Sequence, residues 1–458
     1  MRLRPNSVLP ANISLPHYDR GAQKAGIVHF GIGAFHRAHQ AVYTDDAMNA
    51  GERDWGIIGV SLRSPAVAEQ MNPQGGLYSV TQRSKNSGKT RVIGAVQKVL
   101  MAADEPDAVV AALASEDTHI VSFTITEKGY CRAPDGSLDF AQADERSAYA
   151  YLASAMQQRR AAKLSGLTLL SCDNLAANGA QLAVLMRSYL QRCAPDLVSW
   201  FEDQCSCPST MVDRIVPATT DSDRESIAAI LGGVDQAAVV TEPFTQWVIE
   251  DHFVGKRPGW EIGGAQFTKD VAPFETAKLR MLNGAHSALA YIGLQRGHAF
   301  VHQAIADPYI LALVKTLMHD EAANSLKPAA GQNLASYADA LIARFANPAL
   351  NHRLIQIAMD GSQKIPQRWL ETLAYHQKQG RQCHAILEAI AAWILHIRGN
   401  KIIVDDPMRD TFKALWQTSG EAHIASALFG NGGQFAQYWK ASEEDLMLIN
   451  RALNARNR

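Results

Sequence analysis

In the first part of the chain, short apolar runs alternate with stretches that have the spacing of amphipathic helices. Such runs, bounded by polar or glycine residues, are typical of buried strands. They lie at residues 26–33, 55–62, 118–126 and 167–172, with a further candidate at 237–241. A helical stretch is predicted at residues 37–49, directly after the first run. Strands separated by helical segments predict a mostly parallel, doubly wound sheet.

The pattern changes near residue 270. The rest of the chain is rich in alanine and leucine at helical spacing and contains no run typical of a strand. Helices are predicted at residues 276–296, 305–318, 332–346, 350–361, 384–398 and 409–417. A chain of 458 residues is also long for a single core. We therefore predict an α/β domain over residues 1–270 and a mostly α-helical domain over residues 271–458.

The first predicted strand ends in a glycine turn, HFGIGAFHRAH. Gly31 and Gly33 lie where a dinucleotide-binding fold needs glycines, because the backbone there turns tightly and approaches a pyrophosphate at a helix N-terminus. His36 stands at the position of the third glycine of that fingerprint. A plain turn is one alternative, and a metal site that uses His36 and His39 is another. The favoured interpretation is a Rossmann-type dinucleotide-binding domain.

The group that recognises the cofactor's ribose is expected at the end of the second strand, about 20 residues beyond the glycines. The sequence there is SLRSPAV, which contains no acidic residue. Arg63 and Ser64 occupy the position, and an arginine there accommodates a 2′-phosphate. The sequence therefore leaves NADP open beside NAD.

Polar clusters follow two of the predicted strands: Thr126, Glu127 and Lys128 in TEKGY, and Asp173 and Asn174 in SCDNL. A third cluster, MVDRIVP, holds Asp213 and Arg214. Ligands of open α/β sheets bind beyond the carboxyl ends of the strands, so these clusters favour a ligand site. Helix capping by Asp173 or Asn174 is the structural alternative.

The helix predicted to open the second domain, FETAKLRMLNGAHSALAYIG, carries four polar side chains among apolar ones. At about 100° per residue, Glu275, Lys278, Asn283 and His286 share one face within an arc of about 140°. A solvated face of a surface helix explains this pattern, and so does a catalytic face. A desolvated lysine loses part of its preference for charge, so Lys278 is a candidate general base. Asn283, His286 and also Asn174 are candidate donors to an oxygen that gains negative charge.

Composition narrows the classes of partner. A net charge of −1, with 19% charged residues, argues against binding to nucleic acid or to an anionic membrane. There is no apolar run of about 18 residues, and the N-terminal segment lacks the apolar core of a signal peptide. Six cysteines without a CxxC motif favour reduced thiols, so we expect a cytoplasmic protein. No HExxH or zinc-like cysteine spacing occurs, so no metal is expected.

Stretches along the chain closely resemble the mannitol dehydrogenase family, the polyol-specific long-chain dehydrogenases and reductases. They are HFGIGAFHRAHQAVYTD, TITEKGYC, SCDNLAANG, MVDRIVPA, EPFTQWVIED, KLRMLNGAHS and IAMDGSQKIPQR. The resemblance implies a Rossmann-type N-terminal domain and a helical C-terminal domain. It also implies metal-independent hydride transfer between NAD and a small polyol or sugar acid, by a monomer.

The resemblance assigns a role to each candidate residue. Lys278 resembles the family's general base, Asn174 and Asn283 its oxyanion donors, and His286 its substrate-orienting imidazole. Glu275 resembles a carboxylate that passes the proton to solvent, and Asp213 lines the same site. The cofactor-binding candidates are Gly31, Gly33, Phe35 and Arg37 in the turn, with Arg63, Thr126 and Glu127.

Two departures from the family pattern bear on specificity. Mannitol dehydrogenases of this family have an arginine eight residues before the lysine of DGSxK, where this chain has Gln356 before Lys364. Pro65 and Ala66 replace the acidic pair that recognises the ribose. The first departure argues against mannitol as the substrate, and the second argues against a strict preference for NAD.

QIAMDGSQKIPQR together with TEKGYC resembles the hexuronate branch of the family, the fructuronate reductases or D-mannonate oxidoreductases. Lys364, Arg368 and Lys128 are cations suited to charge-assisted hydrogen bonds with a substrate carboxylate. We therefore expect interconversion of D-mannonate and D-fructuronate. The alternatives are mannitol and fructose, a pentitol such as D-arabinitol, a metal-dependent alcohol dehydrogenase and a non-catalytic nucleotide-binding sensor.

Overall fold

The computed structural model describes residues 2–84, 88–400 and 403–456, without the side chains of Glu127 and Leu350. They divide into two compact units, Met1–Val271 and Ala272–Arg458. The first unit is built on parallel strands with flanking helices and the second is helical, so the predicted fold class is confirmed.

The strands all lie in the first unit. They are β1 (Ile27–Phe30), β2 (Ile57–Ser61), β3 (Tyr78–Arg83), β4 (Gly88–Ile93), β5 (Val96–Met101), β6 (Ile120–Phe123), β7 (Thr168–Ser171), β8 (Thr210–Asp213), β9 (Val239–Thr241), β10 (Gln246–Glu250) and β11 (Gln266–Thr268). A five-stranded parallel sheet has the order β5-β2-β1-β6-β7. Val28 and Phe30 of β1 enter one apolar core and Ile27 enters another, so both faces of this sheet are covered.

Four of the predicted strands lie in this sheet, but residues 237–241 do not. Instead, β9 pairs with β3 in a separate sheet of order β4-β3-β9, and a third sheet has the order β11-β10-β8. The fifth strand of the parallel sheet is β5, which the sequence analysis missed. It is an edge strand in which Gln97 and Lys98 interrupt the apolar run, and Lys98 is exposed.

Helices connect the strands of the first unit. They are α1 (Ala34–Ala38), α2 (Gln40–Asn49), α3 (Ala66–Met71), α4 (Pro106–Ala114), α5 (Thr126–Gly129), α6 (Ala148–Ala161), α7 (Asn178–Cys193), α8 (Val198–Gln204) and α9 (Asp221–Leu231). The helix predicted at residues 37–49 is interrupted at His39, whose φ of −120° and ψ of −97° are not helical.

Among the described residues of the second unit, the secondary-structure elements are helices joined by loops, as the sequence predicts. Its α-helices are α10 (Ala272–Ala277), α11 (Gly284–Gln295), α12 (Val301–Ala306), α13 (Pro308–Thr316), α14 (Leu334–Phe345), α15 (Leu354–Ile357), α16 (Gly361–Ile365), α17 (Glu371–Gln377), α18 (His384–Ile397), α19 (Arg409–Phe429) and α20 (Glu443–Arg456). The sequence analysis missed α17 and α20, and α12 and α16 lie mostly outside its predicted helices. Helix α11 packs against α18, and both lie in the apolar core of this unit.

Three segments of the second unit are π-helical: Lys278–Asn283, Leu317–Ala322 and Pro366–Leu370. A π-helix makes i→i+5 hydrogen bonds and is rare outside single turns within α-helices. The first π turn packs against the other two. Arg280 of this turn donates to the Ser325 carbonyl at 3.2 Å and to a Glu371 carboxylate oxygen at 2.8 Å.

Glu321, in the second π turn, caps α18 from outside that helix. Its two carboxylate oxygens accept the backbone N–H groups of Ala385 at 2.8 Å and Ile386 at 2.9 Å. The first N–H groups of a helix have no carbonyl acceptor within the helix, and here the carboxylate supplies the acceptor. Burial raises the pKa of Glu321 to about 7.

Glu321 therefore makes stability depend on pH. Its pKa is higher in the folded protein, so folding favours the protonated form of Glu321. The stability that results from this preference is complete below pH 4.5, the ordinary pKa, and is lost as pH rises to about 7. We expect Glu321→Gln to remove up to about 3 kcal/mol of that pH dependence. Urea denaturation at about pH 5 and about pH 7.5 measures it. Glu388→Gln, at a partly exposed ion pair with Arg456, is the matched control. An unchanged pH dependence in Glu321→Gln contradicts the assignment.

Candidate active site

The glycine turn lies between β1 and α1. Gly31 has φ +90°, and a Cβ atom there would overlap the Thr124 carbonyl oxygen, so only glycine fits. Gly33 is the N-cap residue of α1, with an ordinary φ of −74°. The nearest atom to a Cβ built on Gly33 is the Gly31 carbonyl oxygen at 3.8 Å. The turn therefore needs Gly31 for its shape, whereas Gly33 leaves open space beside the backbone.

No side chain caps the N-terminus of α1. The first N–H groups of a helix lack partners within the helix and carry partial positive charge, which suits an anionic group. Phe35, in the first turn of α1, is half-buried and its ring stacks on His39 at 5.0 Å. These features fit the pyrophosphate of a dinucleotide cofactor.

Arg37 is buried beneath the turn. Its Nε donates to the Gly33 carbonyl at 3.3 Å and its Nη1 donates to the Ala237 carbonyl. The Tyr78 hydroxyl donates to the Arg37 carbonyl at 2.7 Å. The sequence prediction placed Arg37 among the cofactor-binding residues, and these contacts show how its side chain supports the turn.

His36, at the position of the third fingerprint glycine, is fully buried. Its ring stacks on the His29 ring with centroids 3.5 Å apart. His29 hydrogen bonds to Ser122 Oγ at 2.8 Å and to Thr124 Oγ1 at 2.9 Å. Burial lowers the pKa of His29 to about 3 and that of His36 well below 6.5, so both rings are neutral. This stack gives His36 a packing role. Within the described residues, no group of three or more His, Cys, Asp or Glu side chains is placed to hold a metal ion.

The loop that follows β6 is held by Asp173 from the end of β7. The Asp173 carboxylate accepts the N–H groups of Ile125 at 2.9 Å and Thr126 at 3.1 Å, and the Tyr130 hydroxyl at 2.9 Å. Thr126 has φ +62°, a strained conformation that these bonds support. Asp173 thus binds N–H groups at the start of α5, and the N-cap residue of helix α7 is Ala177, which makes no side-chain capping bond.

The other predicted residues of the first unit lie at strand ends. Asn174 is exposed after β7, and Lys128 is exposed on α5. Asp213 is buried at the end of β8. Arg63 is exposed after β2, where the Ser61 hydroxyl donates to the Ser64 carbonyl at 2.6 Å. The side chain of Glu127 lies outside the described part of the structure.

The second unit carries the polar helix. Lys278 begins the first π turn, Asn283 ends it, Glu275 lies in the preceding α10, and His286 lies in α11. The prediction of an unbroken α-helix is wrong here, because i→i+5 bonding changes the angle per residue. Lys278 and Asn283 are five residues apart and are thus separated around the axis by less than the 140° of an α-helix.

The surface-helix interpretation is also wrong. Helix α11 is buried continuously from Gly284 to Gly293, and Glu275, Lys278 and Asn283 are half-buried. The Asn283 side-chain amide makes no hydrogen bond within the described part of the chain. A half-buried amide that lacks a protein partner is available to a polar ligand.

His286 lies in a buried aromatic environment. Its ring packs 4.7 Å from Phe345 and 5.3 Å from His352. Burial, with smaller effects from His352, Arg344 and Arg368, lowers the pKa of His286 well below 6.5. The ring is therefore neutral at ordinary pH and can donate one hydrogen bond and accept another. Its Nε2 has no partner among the described residues.

Arg368 and Trp369, in the third π turn, contact the end of the first. Arg368 Nη1 donates to the Asn283 carbonyl at 3.2 Å and to Ser287 Oγ at 2.7 Å. Trp369 Nε1 donates to the Gly284 carbonyl at 3.1 Å. Burial lowers the pKa of Arg368 to about 10, which leaves it charged at neutral pH. Arg368, which was predicted to bind the substrate carboxylate, thus has part of its guanidinium bonded to the helical segment of residues 272–295, which we call the lysine helix.

Lys364, the second predicted carboxylate ligand, is half-buried on α16. Its Nζ donates to the Met359 carbonyl at 2.6 Å and lies 3.8 Å from Asp360. Burial and the nearby positive charge of Arg368 lower its pKa, and the carboxylates of Asp360, Asp406 and Asp405 oppose that effect. Gln356 is exposed on α15.

Sequence reasoning missed Ser287, Trp369 and His352 as neighbours of the polar helix. Trp369 binds a backbone carbonyl, which has no sequence signature. Ser287 lies four residues after Asn283, a spacing that places both on one side of a helix and was available as a signal. His352 precedes the matched IAMDGSQK stretch, and no spacing relates it to His286.

Comparisons with known proteins cover most of the chain. Residues 25–262 match the family model of the mannitol dehydrogenase Rossmann domain, and residues 270–438 match that of the mannitol dehydrogenase C-terminal domain. D-mannonate oxidoreductase of Escherichia coli (strain K12) is 39% identical over 444 residues, which cover 93% of this chain and 91% of that protein.

Two solved structures are similar over the full length. A D-sorbitol dehydrogenase in substrate-free form has a TM-score of 0.93 and 31% identity, covering 100% of this chain and 98% of that one. Pseudomonas fluorescens mannitol 2-dehydrogenase, in ternary complex with NAD and D-mannitol, has a TM-score of 0.80 and 34% identity, covering 100% and 97%. In the described residues, every helix is too short or too polar to span a membrane.

The two glycines of the turn should respond differently to substitution. Gly31→Ala should lower the free energy of unfolding by about 2–5 kcal/mol, because its φ is positive and its Cβ overlaps a carbonyl. Gly33→Ala has space and an ordinary φ, so it should cost less than about 1 kcal/mol. Urea denaturation of both variants measures the difference. Equal losses of stability would contradict the described geometry.

Proposed function

The chain belongs to the mannitol dehydrogenase family, and from this premise we propose that it interconverts D-mannonate and D-fructuronate by NAD-dependent hydride transfer. The similarity to D-mannonate oxidoreductase supports the substrate class. The observation that carries the chemistry is the π turn, which presents on one short segment a half-buried lysine and an amide that has no hydrogen-bond partner among the described residues.

The nucleotide-binding role belongs to the first unit. The open space at Gly33 and the uncapped N-terminus of α1 suit the pyrophosphate. We assign NAD to the turn residues Gly31, Gly33, Phe35 and Arg37, with Arg63, Thr126 and Glu127 as further contacts. When bound, NAD accepts a hydride in oxidation and donates one in reduction. The exposed Arg63 keeps NADP as an alternative cofactor.

We assign the transfer of the proton to Lys278. In oxidation its uncharged amine removes the proton of the substrate hydroxyl, and in reduction its ammonium group returns a proton to the carbonyl oxygen. Asn283 donates a hydrogen bond to that oxygen as negative charge develops. Neutral His286 orients the substrate, and Glu275 passes the proton between Lys278 and solvent.

Asn174 and Asp213 are the proposed contributions of the first unit to catalysis. We assign Asn174 as a second hydrogen-bond donor to the reacting oxygen and Asp213 as a polar group that lines the site. Asn174 follows β7 of the parallel sheet, at the end of the strand where ligands of α/β folds bind, and Asp213 ends β8 of a separate sheet.

Lys364 and Lys128 remain the proposed ligands of the substrate carboxylate, whereas Arg368, the third cation predicted for that role, is bonded to the helix that carries Asn283 and Ser287. Lys128 is exposed, whereas Lys364 and Arg368 already contact backbone carbonyls. Three carboxylates act on Lys364, which weakens it as an anion ligand. That observation favours a neutral polyol as the second candidate, with mannitol and fructose as the substrate pair.

Lys278→Ala should lower turnover by about 100- to 10,000-fold, because general base catalysis is lost. NADH affinity, measured by fluorescence titration, should stay within about threefold because the turn lies in the first unit. Lys315→Ala, at an exposed lysine of α13, is the matched control and should retain full turnover. Near-normal turnover in Lys278→Ala would contradict the assigned role. NADH binding by the unmodified protein without turnover of any sugar would instead favour a nucleotide sensor.

The substrate class is tested by rates of NADH and NADPH oxidation with D-fructuronate and with D-fructose. We expect kcat/KM to favour D-fructuronate by at least about 100-fold. D-Fructose lacks the carboxylate, so cations of the site that bind this group would be left unpaired. Lys128→Met and Lys364→Met should each raise KM for D-fructuronate by about tenfold and leave KM for D-fructose unchanged. A preference for D-fructose would overturn the hexuronate assignment and favour the mannitol pair.

A further inference from the structure

Two consecutive residues of the third π turn donate to two consecutive carbonyls of the lysine helix. Arg368 binds the Asn283 carbonyl and Trp369 binds the Gly284 carbonyl. Asn283 is the last residue of the first π turn and Gly284 is the first residue of α11. Both bonds thus lie at the junction where π-helical winding returns to α-helical winding.

We propose that Arg368 and Trp369 form a clamp that holds the turn Lys278–Asn283 in its π-helical form, so that Arg368 is a positioning residue for Lys278 and Asn283. The inference rests on the proposed roles of Lys278 and Asn283 in hydride-transfer chemistry. It gives Arg368 a function other than binding the substrate carboxylate.

The hydrogen-bond geometry explains why an arginine is needed. Arg368 Nη1 is shared between the Asn283 carbonyl and the Ser287 hydroxyl, which is four residues further along the same helix. One guanidinium group therefore spans the first turn after the junction. A π turn is less favourable than α-helix and persists only where surrounding contacts determine it.

The surroundings make these contacts strong. Trp369 is fully buried, and Arg368 is half-buried, so part of its guanidinium lies out of contact with water. A buried guanidinium requires partners for its donors, and helix carbonyls supply part of them here. If the junction loses these donors, we expect the segment to relax towards regular α-helix, which would rotate Lys278 relative to Asn283.

The kinetic test compares Arg368→Met, which keeps the length of the side chain, with Arg368→Lys, which keeps one charged donor. With D-fructuronate and with D-fructose alike, Arg368→Met should lower kcat by about 10- to 100-fold, as expected for misplaced catalytic groups. KM for each sugar should change by less than about threefold. Arg368→Lys should recover a large part of kcat. The alkaline limit of the pH profile should move in Arg368→Met, because the environment of the base changes.

A carboxylate ligand would behave differently. Loss of such a ligand raises KM for D-fructuronate by about tenfold or more and leaves D-fructose kinetics unchanged. That result would overturn the clamp.

A second measurement does not depend on turnover. Hydrogen exchange followed by mass spectrometry should show exchange at residues 278–288 at least about tenfold faster in Arg368→Met than in the unmodified protein. Exchange in α18 should not change. Unaltered exchange at residues 278–288 would overturn the clamp even if the enzyme acts on another sugar. If the unmodified protein reduces neither sugar, the substrate proposal fails and this exchange result still decides the clamp.

A pair of tryptophan variants separates the hydrogen bond from packing. Trp369→Phe removes the donor to Gly284 and leaves a cavity. Trp393→Phe leaves a similar cavity in the same unit, but its indole nitrogen has no partner among the described residues. Only Trp369→Phe should speed exchange at residues 278–288. Equal effects of the two variants would assign Trp369 to packing alone and overturn its part in the clamp.

Discussion

The winding of one helix is the constraint on which the proposed chemistry depends. Between Lys278 and Asn283 the backbone takes i→i+5 hydrogen bonds, and the chain before and after this turn is α-helical. In this winding, the angle around the helix axis between two residues that are five apart is smaller than in an α-helix. A lysine and an amide can then address one oxygen from a rigid segment, without a loop.

Two half-buried arginines bond the π turn to its surroundings, through side-chain oxygens as well as backbone carbonyls. Arg280 and Arg368 connect the first π turn to the elements around it through carbonyls and neighbouring side chains. The first unit follows the same rule at the glycine turn, where Arg37 binds the Gly33 carbonyl and Asp173 binds two N–H groups of the facing loop. In both units, charged side chains fix the backbone on which the functional groups stand.

The sequence predicts those strands that consist of an unbroken run of apolar residues. Strand β1 is an unbroken buried run and was recognised, whereas the edge strand β5 contains Gln97 and Lys98 and was missed. The glycine turn was recognisable because Gly31 has a steric requirement that only glycine meets. The polar residues of the helix around Lys278 were identified from their shared face, and the family resemblance then assigned their roles, but their geometry could not follow from a fixed 100° step. The bonds of Arg368 and Trp369 to backbone carbonyls leave no trace in residue identities.

The role of Lys278 as the general base can be tested by chemical rescue, in which an added amine restores the turnover of a variant that lacks the lysine. The Lys278→Ala variant is assayed with D-fructuronate and NADH in increasing concentrations of methylamine, a small primary amine that can replace the missing group. If Lys278 is the general base, turnover should rise with amine concentration until it saturates, and the rise should depend on the pKa of the amine when ethylamine and fluoroethylamine are compared. A Lys278→Ala variant that turns over at near the unmodified rate without any amine would contradict it.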